Sequence, residues 1–271
     1  MELIDTHSHI QSAGGLDTGE RSTREIWAKD PEITAESLLS GAAEHGVSKI
    51  ICVGCDLTDS KLAIDFAQAH ENCWASIGVH PHEAKEYVGK ADALEQFAAL
   101  VSQPKVVAIG ECGFDFHYNH SPKEDQAVLL HFQLELAKKH NLPVIFHVRE
   151  AYEDFWPIFD NYPGIRGVLH SFTDTIDTMH EAVGRGLFIG VNGIATFAKK
   201  PEQLAMYSQI PLKNMVLETD APFLTPTPYR GTINQPKRLG NVADFLSKLR
   251  SEDRSELAAT TTANARALFG I

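Results

Sequence analysis

The sequence predicts an α/β protein built as a (β/α)8 barrel, the TIM-barrel architecture, with residues 1–271 as one domain. Three observations point there. Eight short, almost wholly apolar segments recur along the chain, each followed by a stretch of helical character. Segments of that kind suit parallel strands buried on both faces. Barrels of this type also run to roughly 250 residues as a single domain, close to the 271 here. A doubly wound open sheet has the same alternation, but no G-x-G-x-x-G turn follows the first strand.

The first strand is expected over Glu2–Thr6. It runs into Leu3-Ile4-Asp5-Thr6-His7-Ser8-His9, where alternation would send Asp5, His7 and His9 to one face. The polar, glycine-containing segment from Gln11 to Pro31 has little periodicity and is read as a long first βα loop over about 11–33. A functional loop and a surface insertion are equally open readings of it. A helix follows over Thr34–His45, capped by Thr34 and stopped at Gly46.

The pattern then repeats as strand Ser48–Val53, helix Ser60–His70, strand Cys73–Val79, helix Asp92–Val101 and strand Val106–Gly110. Ser121-Pro122-Lys123-Glu124 predicts a helix start with Ser121 as cap, the helix reaching His140. Next come strand Pro143–Val148, helix Ala151–Phe159, strand Arg166–Leu169, helix Ile176–Gly184, strand Leu187–Val191, helix Pro201–Ser208 and strand Met215–Glu218. A proline-rich loop over 221–236 leads to helices near Val242–Leu249 and Arg254–Leu268.

Composition narrows the function classes. Residues are 43% hydrophobic and 22% charged, as in a soluble globular protein. No apolar run approaches the roughly 18 residues needed to span a bilayer, and Met1–Asp5 lacks the cationic flank of a signal peptide. A cytoplasmic protein without a membrane partner is expected. Cys52, Cys55, Cys73 and Cys112 lie in or beside apolar stretches and suggest no disulfide framework. Cys52-Val53-Gly54-Cys55 has C-x-x-C spacing without a second pair, and is read as buried core. A net charge of −12 argues against a broad electropositive surface for nucleic acid. An anionic substrate would be drawn locally, by metals and a few cationic side chains.

In such barrels the reactive residues stand at the C-terminal ends of the strands. Here the first strand ends in His7 and His9, the third in His80-Pro81-His82, the fourth in Glu111, the fifth in His147, the sixth in His170 and the eighth in Asp220. Setting aside the third-strand pair leaves four imidazoles and two carboxylates on one rim. That is an inventory for two divalent ions sharing a carboxylate. Strand parity aligns Ile145, His147 and Arg149, and likewise Glu218 and Asp220. Glu218 is thus expected as a buried support one layer below Asp220, and Asp5 as the partner fixing the tautomer of His7. Arg149 leans toward the ligand set, with an ion pair to a neighbouring carboxylate as its structural alternative. His80 and His82 are read as substrate contacts. His117 and His120, in the loop after the fourth strand, are read as exposed loop residues with substrate contact as the alternative, and His45, His70, His131, His140 and His180 as surface or packing residues.

The residues together resemble the TatD-type metal-dependent deoxyribonucleases, within the amidohydrolase-like barrels. The resemblance covers essentially the whole chain, through Ile4-Asp5-Thr6-His7-Ser8-His9, Gly78-Val79-His80-Pro81-His82 and Ile109-Gly110-Glu111-Cys112-Gly113-Phe114-Asp115. It continues through Leu142–Ala151, His170-Ser171-Phe172 and Leu217-Glu218-Thr219-Asp220-Ala221-Pro222. It implies two divalent cations (Zn, Mn, Mg or Co), one held by His7, His9, Glu111 and Asp220, the other by Glu111, His147 and His170. Glu111 then takes the place that a carboxylated lysine fills in some relatives. The resemblance further implies substrate contacts from His80, Arg149 and Arg230, the last in Tyr229-Arg230-Gly231-Thr232-Ile233-Asn234-Gln235-Pro236. That loop is read as positioning the eighth strand first and touching substrate second.

The reaction so implied is 3′–5′ exonucleolytic hydrolysis of DNA ends, single strands preferred. A metal-activated hydroxide would attack phosphorus, with Glu111 and Asp220 as catalytic carboxylates and Asp220 relaying the proton. Two features depart from the family pattern: the length of the 11–31 segment, and His170-Ser171-Phe172-Thr173-Asp174 where Cys or Gly is usual. The alternatives are an amidohydrolase-like hydrolase of a small ester, lactone or amide, a D-aminoacyl-tRNA deacylase, and a non-catalytic metal-binding protein.

Overall fold

The computed structural model of the chain describes residues 1–13 and 21–271. The eight strands are β1 (Leu3–Ser8), β2 (Val47–Val53), β3 (Cys73–Ile77), β4 (Val106–Asp115), β5 (Val144–Arg149), β6 (Gly167–Leu169), β7 (Phe188–Val191) and β8 (Met215–Leu217). They form one parallel sheet in the order β1 to β8. A parallel bridge from Ser8 to Ala221 closes the ring. So do the amide of His9 donating to the Ala221 carbonyl and that of Asp220 donating to the His7 carbonyl, both at 2.8 Å.

Ten helices accompany the strands among the described residues: α1 (Arg21–Trp27), α2 (Ala35–Glu44), α3 (Leu57–Ala69), α4 (Ala91–Leu100), α5 (Lys123–His140), α6 (Tyr152–Phe159), α7 (Ile176–Gly184), α8 (Pro201–Gln209), α9 (Leu239–Arg250) and α10 (Arg254–Phe269). Apolar side chains occupy two layers. A large layer fills the space between strands and helices. A small one, with Ile4, Ile51, Val53, Ala108, Ile145, Val168 and Val216, fills the barrel interior, and Ala265, Leu268 and Phe269 of α10 plug it from below. No helix is long and apolar enough to cross a membrane among the described residues.

Four details differ from the sequence expectations. The 11–31 segment is not wholly irregular. It holds a 3-10 turn at Ile10–Ser12 and helix α1, and the buried Trp27 indole donates to the His9 carbonyl at 3.1 Å. The part at 14–20 lies outside the described residues. Strand β4 runs beyond Gly110 to Asp115, because Gly110 and Gly113 let its backbone pass against that of β5. A Cβ on Gly110 would collide with the Ile145 carbonyl, and one on Gly113 with the His147 carbonyl. Ser121 does not cap α5. Its hydroxyl donates to the His82 carbonyl at 2.6 Å and accepts from the Lys85 amide at 3.1 Å, tying the loop after β3 to the loop after β4. Finally, Asp5 does not hold the His7 ring. Its carboxylate accepts from the amide of Thr219 at 2.8 Å and from the Thr219 hydroxyl at 2.5 Å, fastening β1 to the end of β8.

Candidate metal centre

Strand ends bring His7, His9, His80, Glu111, His147, His170 and Asp220 together in the barrel mouth. All but His7 line one cleft of about 770 Å³. Backbone irregularity aims several of them. The β1–β2 register shifts between Asp5 and Ser8, and the β4–β5 register shifts between Ile109 and Cys112. Ile4 and Ala108 belong to the interior layer, yet the site residues on those strands, His7 and Glu111, stand three positions on, an odd count. An unbroken strand keeps even counts on one face; the irregularities re-aim the two side chains. Gly78 allows the end of β3 to touch β4, since a Cβ there would collide with the Gly110–Glu111 backbone. Asp220 holds a left-handed φ of 57° and Ser171 one of 49°. Such a conformation costs a non-glycine residue free energy and is concentrated at functional sites.

Glu111 is the hub. One oxygen lies 2.7 Å from His147 Nδ1, 3.5 Å from His80 Nε2 and 3.8 Å from His170 Nε2. The other lies 3.3 Å from His7 Nε2. Asp220 Oδ1 lies 3.3 Å from His9 Nε2 and 3.6 Å from His7 Nε2. The His7 and His170 rings stack with centroids 3.5 Å apart. The ligand-type atoms gather into His7, His9 and Glu111, into His7, His170 and Asp220, and into His80, Glu111 and His147. His80 therefore stands inside the cluster rather than at its edge, and His170 groups with His7 and Asp220.

Further groups orient the rings. His9 Nδ1 lies 3.0 Å from the Val53 carbonyl, leaving Nε2 to face the site. His170 Nδ1 lies 2.9 Å from Glu218 Oε1. That carboxylate, 1% exposed, also accepts from the Ser171 amide at 2.7 Å and from Asn192 Nδ2 at 3.1 Å. Glu218 is thus the buried support expected of it. His147 Nε2 lies 3.0 Å from Asp115 Oδ2, which also lies 3.1 Å from His82 Nε2. Asp115 lies beyond the strand expected over Val106–Gly110, and only the lengthened β4 brings it to the site.

The electrostatics suit a cation. Burial works against the charge on Glu111, yet His170, His80, His7 and His147 around it hold its carboxyl well below the usual range. Asp220 is likewise lowered against its burial, by His9, His170 and His7. Asp115 is lowered against its burial by His147 and His82. Burial and the neighbouring His170 lower His7, and burial takes His80 down to about 4. At His170 burial opposes the charge, but Glu218 and Glu111 prevail and raise it to about 10. Anionic carboxylates and neutral imidazoles ligate divalent metals. The carboxylates, His7 and His80 are held in those states. His147, raised against its burial by Asp115 and Glu111, and His170 would give up a proton to a bound cation. Both His7 ring nitrogens are buried without a hydrogen-bond partner, which is costly unless a ligand uses them. The donor set fits a divalent metal.

Arg149 lines the cleft, its guanidinium 4.8 Å from the Tyr118 ring centroid. Arg230 is not among the lining residues. It packs on the Phe197 ring at 3.7 Å and donates to the Thr225 carbonyl at 3.0 Å. In the same loop Asn234 donates through Nδ2 to the Thr219 carbonyl at 2.9 Å, so the loop holds the end of β8. The four cysteines are free and buried.

Fold and donor set together define a barrel hydrolase that uses divalent metal. The family model for TatD related DNase matches residues 4–270, and the chain belongs to that family. It is 37% identical over 265 residues to the 3′-5′ ssDNA/RNA exonuclease TatD of Shigella flexneri serotype 5b, covering 94% of this chain and 99% of that one. It is 36% identical over 265 residues to the protein of the same name from Escherichia coli K12, with the same coverage of 94% and 99%. Among solved structures, a TatD homologue from Escherichia coli K12 superposes with a TM-score of 0.86 at 28% identity, covering 99% of this chain and 98% of the other. A TatD family hydrolase from Entamoeba histolytica shares the fold, with a TM-score of 0.87 at 24% identity over 99% of this chain and 98% of that one.

Proposed function

We propose that the protein is a metal-dependent 3′–5′ exonuclease that hydrolyses phosphodiester bonds at the ends of DNA, with single strands preferred, in the cytoplasm. The observation that carries this reading is the convergence of His7, His9, His147, His170 and Asp220 on the carboxylate of Glu111. In a chain that belongs to the TatD family, that donor set is the expected one. Two cations would be held, Glu111 being shared between His7, His9 and Asp220 on one side and His147 and His170 on the other, with His170 also within reach of the first set through His7 and Asp220. His80 is close enough to Glu111, at 3.5 Å, to contribute from the same side as His147.

When bound, such cations supply Lewis acidity and lower the pKa of water toward 7. The chain's residues do the rest. Asp220, held ionised, accepts the proton of the attacking water. Arg149 at the cleft wall pairs with phosphoryl oxygens, whose charge grows in the transition state. Glu218 and Asp115 keep the His170 and His147 rings turned toward Glu111, and the apolar layer beneath excludes bulk water from below.

The test uses protein loaded in turn with Mg²⁺, Mn²⁺, Co²⁺ and Zn²⁺, and a single-stranded oligonucleotide with a 3′-hydroxyl. Stepwise loss of mononucleotides from the 3′ end is expected. Glu111→Gln and Asp220→Asn should each slow it by at least about 100-fold. Equal rates in wild type and variants would remove the site from the reaction. Faster turnover of a small ester, an amide or a D-aminoacyl-tRNA by the same preparation would replace the substrate class.

A further inference from the structure

We propose that Tyr118 is a stacking platform for the nucleobase at the strand end, a subsite beside the place where the phosphate is cut. The inference rests on the nuclease reading above and adds how an unpaired end is held. Tyr118 is 54% exposed, one of four large apolar side chains so exposed among the described residues. It alone of these four lines the cleft of the candidate metal centre. A tyrosine kept for packing would bury its ring; this one presents it at the mouth of the site.

The ring is held in place rather than loose. The Tyr118 amide donates to Asp115 Oδ1 at 2.8 Å, and the chain turns at Asn119 with a φ of 50°. The His120 ring lies parallel to it with centroids 5.9 Å apart, and the His82 ring meets it edge-on at 5.8 Å. The same Asp115 carboxylate reaches His147 Nε2 at 3.0 Å, so one anion fixes both the platform and a ring of the metal centre. A held platform loses little freedom when a ligand lands on it.

Over one face of the ring stands the Arg149 guanidinium, 4.8 Å from its centroid. A cation on one face of a ring that stays 54% exposed matches the two parts of one nucleotide. The guanidinium pairs with the phosphate, and the ring takes the base, whichever base it is, because every base has a π face. A base can swing onto the ring only when released from its pairing partner, so the platform favours unpaired ends.

The test compares wild type, Tyr118→Ala and Tyr118→Phe on two single strands, one ordinary and one whose 3′-terminal nucleotide is abasic. A strand carrying 2-aminopurine at its 3′ end, with a phosphorothioate terminal linkage to slow cutting, reports stacking directly by loss of fluorescence. Tyr118→Ala should raise KM for the ordinary strand by about 5- to 100-fold and leave the abasic strand within about twofold. It should also abolish the quenching, while Tyr118→Phe keeps all three wild-type behaviours. The proposal is overturned if Tyr118→Ala keeps the quenching, or changes neither strand, or slows both strands alike. If wild type degrades no oligonucleotide, the nuclease reading falls and the platform falls with it. If wild type degrades both strands and only the variant comparison fails, the platform alone falls.

Discussion

Asp115 grips the outer side of the His147 ring, its Oδ2 lying 3.0 Å from Nε2, while Nδ1 on the inner side lies 2.7 Å from Glu111. A carboxylate behind a ligating imidazole fixes its tautomer and raises its basicity. Asp115→Asn removes that charge at nearly constant shape. Metal affinity should fall about 10- to 100-fold, read by titrating metal-free protein calorimetrically, while far-UV circular dichroism stays unchanged. Unaltered affinity would show that His147 needs no orienting partner.

Metal should stabilise the fold as well as the reaction. The proposed ligands come from five strand ends, so binding would be confined to the closed barrel, and a ligand that binds only the native state adds stability in proportion to ln(1 + [L]/Kd). At 100 times Kd that amounts to about 2.7 kcal/mol, which for a chain of this size raises Tm by about 5 to 10 °C. Scanning calorimetry with and without a chelator measures it. Glu111→Gln should lose most of the increment.

Asp5 gives the metal-free protein a definite pH response. Burial raises its carboxyl from 3.8 to about 7, although the Thr219 and His7 hydrogen bonds work the other way. Because the folded state holds this proton more tightly than the unfolded chain, the group favours folding in acid. That advantage is lost as pH rises from about 4 through about 7, at most about 4 kcal/mol across the window. Asp5→Asn supplies a neutral donor in the same place. The stability difference between variant and wild type, measured by urea unfolding in chelator, should therefore move in the variant's favour from pH 4 to pH 8. A flat difference would mean that Asp5 stays ionised throughout.

Salt should matter little. The 36 acidic residues outnumber the 24 Lys and Arg for a net charge of −12, and Arg149 is the guanidinium at the cleft. Each phosphate neutralised on a single strand contributes about −0.7 to the slope of log K against log salt. Oligonucleotide binding between 50 and 200 mM salt is expected to show a slope shallower than about −2. A slope near −5 would reveal an extended phosphate track elsewhere on the surface.

Much of this architecture was legible because both signals behind it are local. Apolar runs of strand length mark strands buried on both faces, and a polar residue ending such a run marks the rim. Parity then worked where strands are regular. Ile145 and His147 on β5, and Val168 on β6 and His170 just past its end, are two positions apart, with the apolar member in the interior layer. On β1 and β4 register shifts break the alternation, so the alignment of Asp5 with His7 was misleading and Asp5 serves Thr219 instead. Asp115 carries no local signal, because the apolar run of β4 ends at Gly110; backbone contacts made through glycine carry the strand five residues further. The direction of Arg230 depended on Phe197, more than thirty positions away, a pairing no local pattern encodes. Trp27, inside a segment without periodicity, is fastened to His9 by one long-range hydrogen bond.

The bridging of Ser8 to Ala221, which closes the ring, also sets a clock on the metal centre. His7 and Asp220 are 213 positions apart in the chain. At translation speeds of roughly 5 to 20 residues per second, His7 and His9 leave the ribosome about ten to forty seconds before Asp220 exists. A cation met in that interval would find the histidine pair without Asp220. The full set of proposed ligands therefore exists only once the last strand has joined the first.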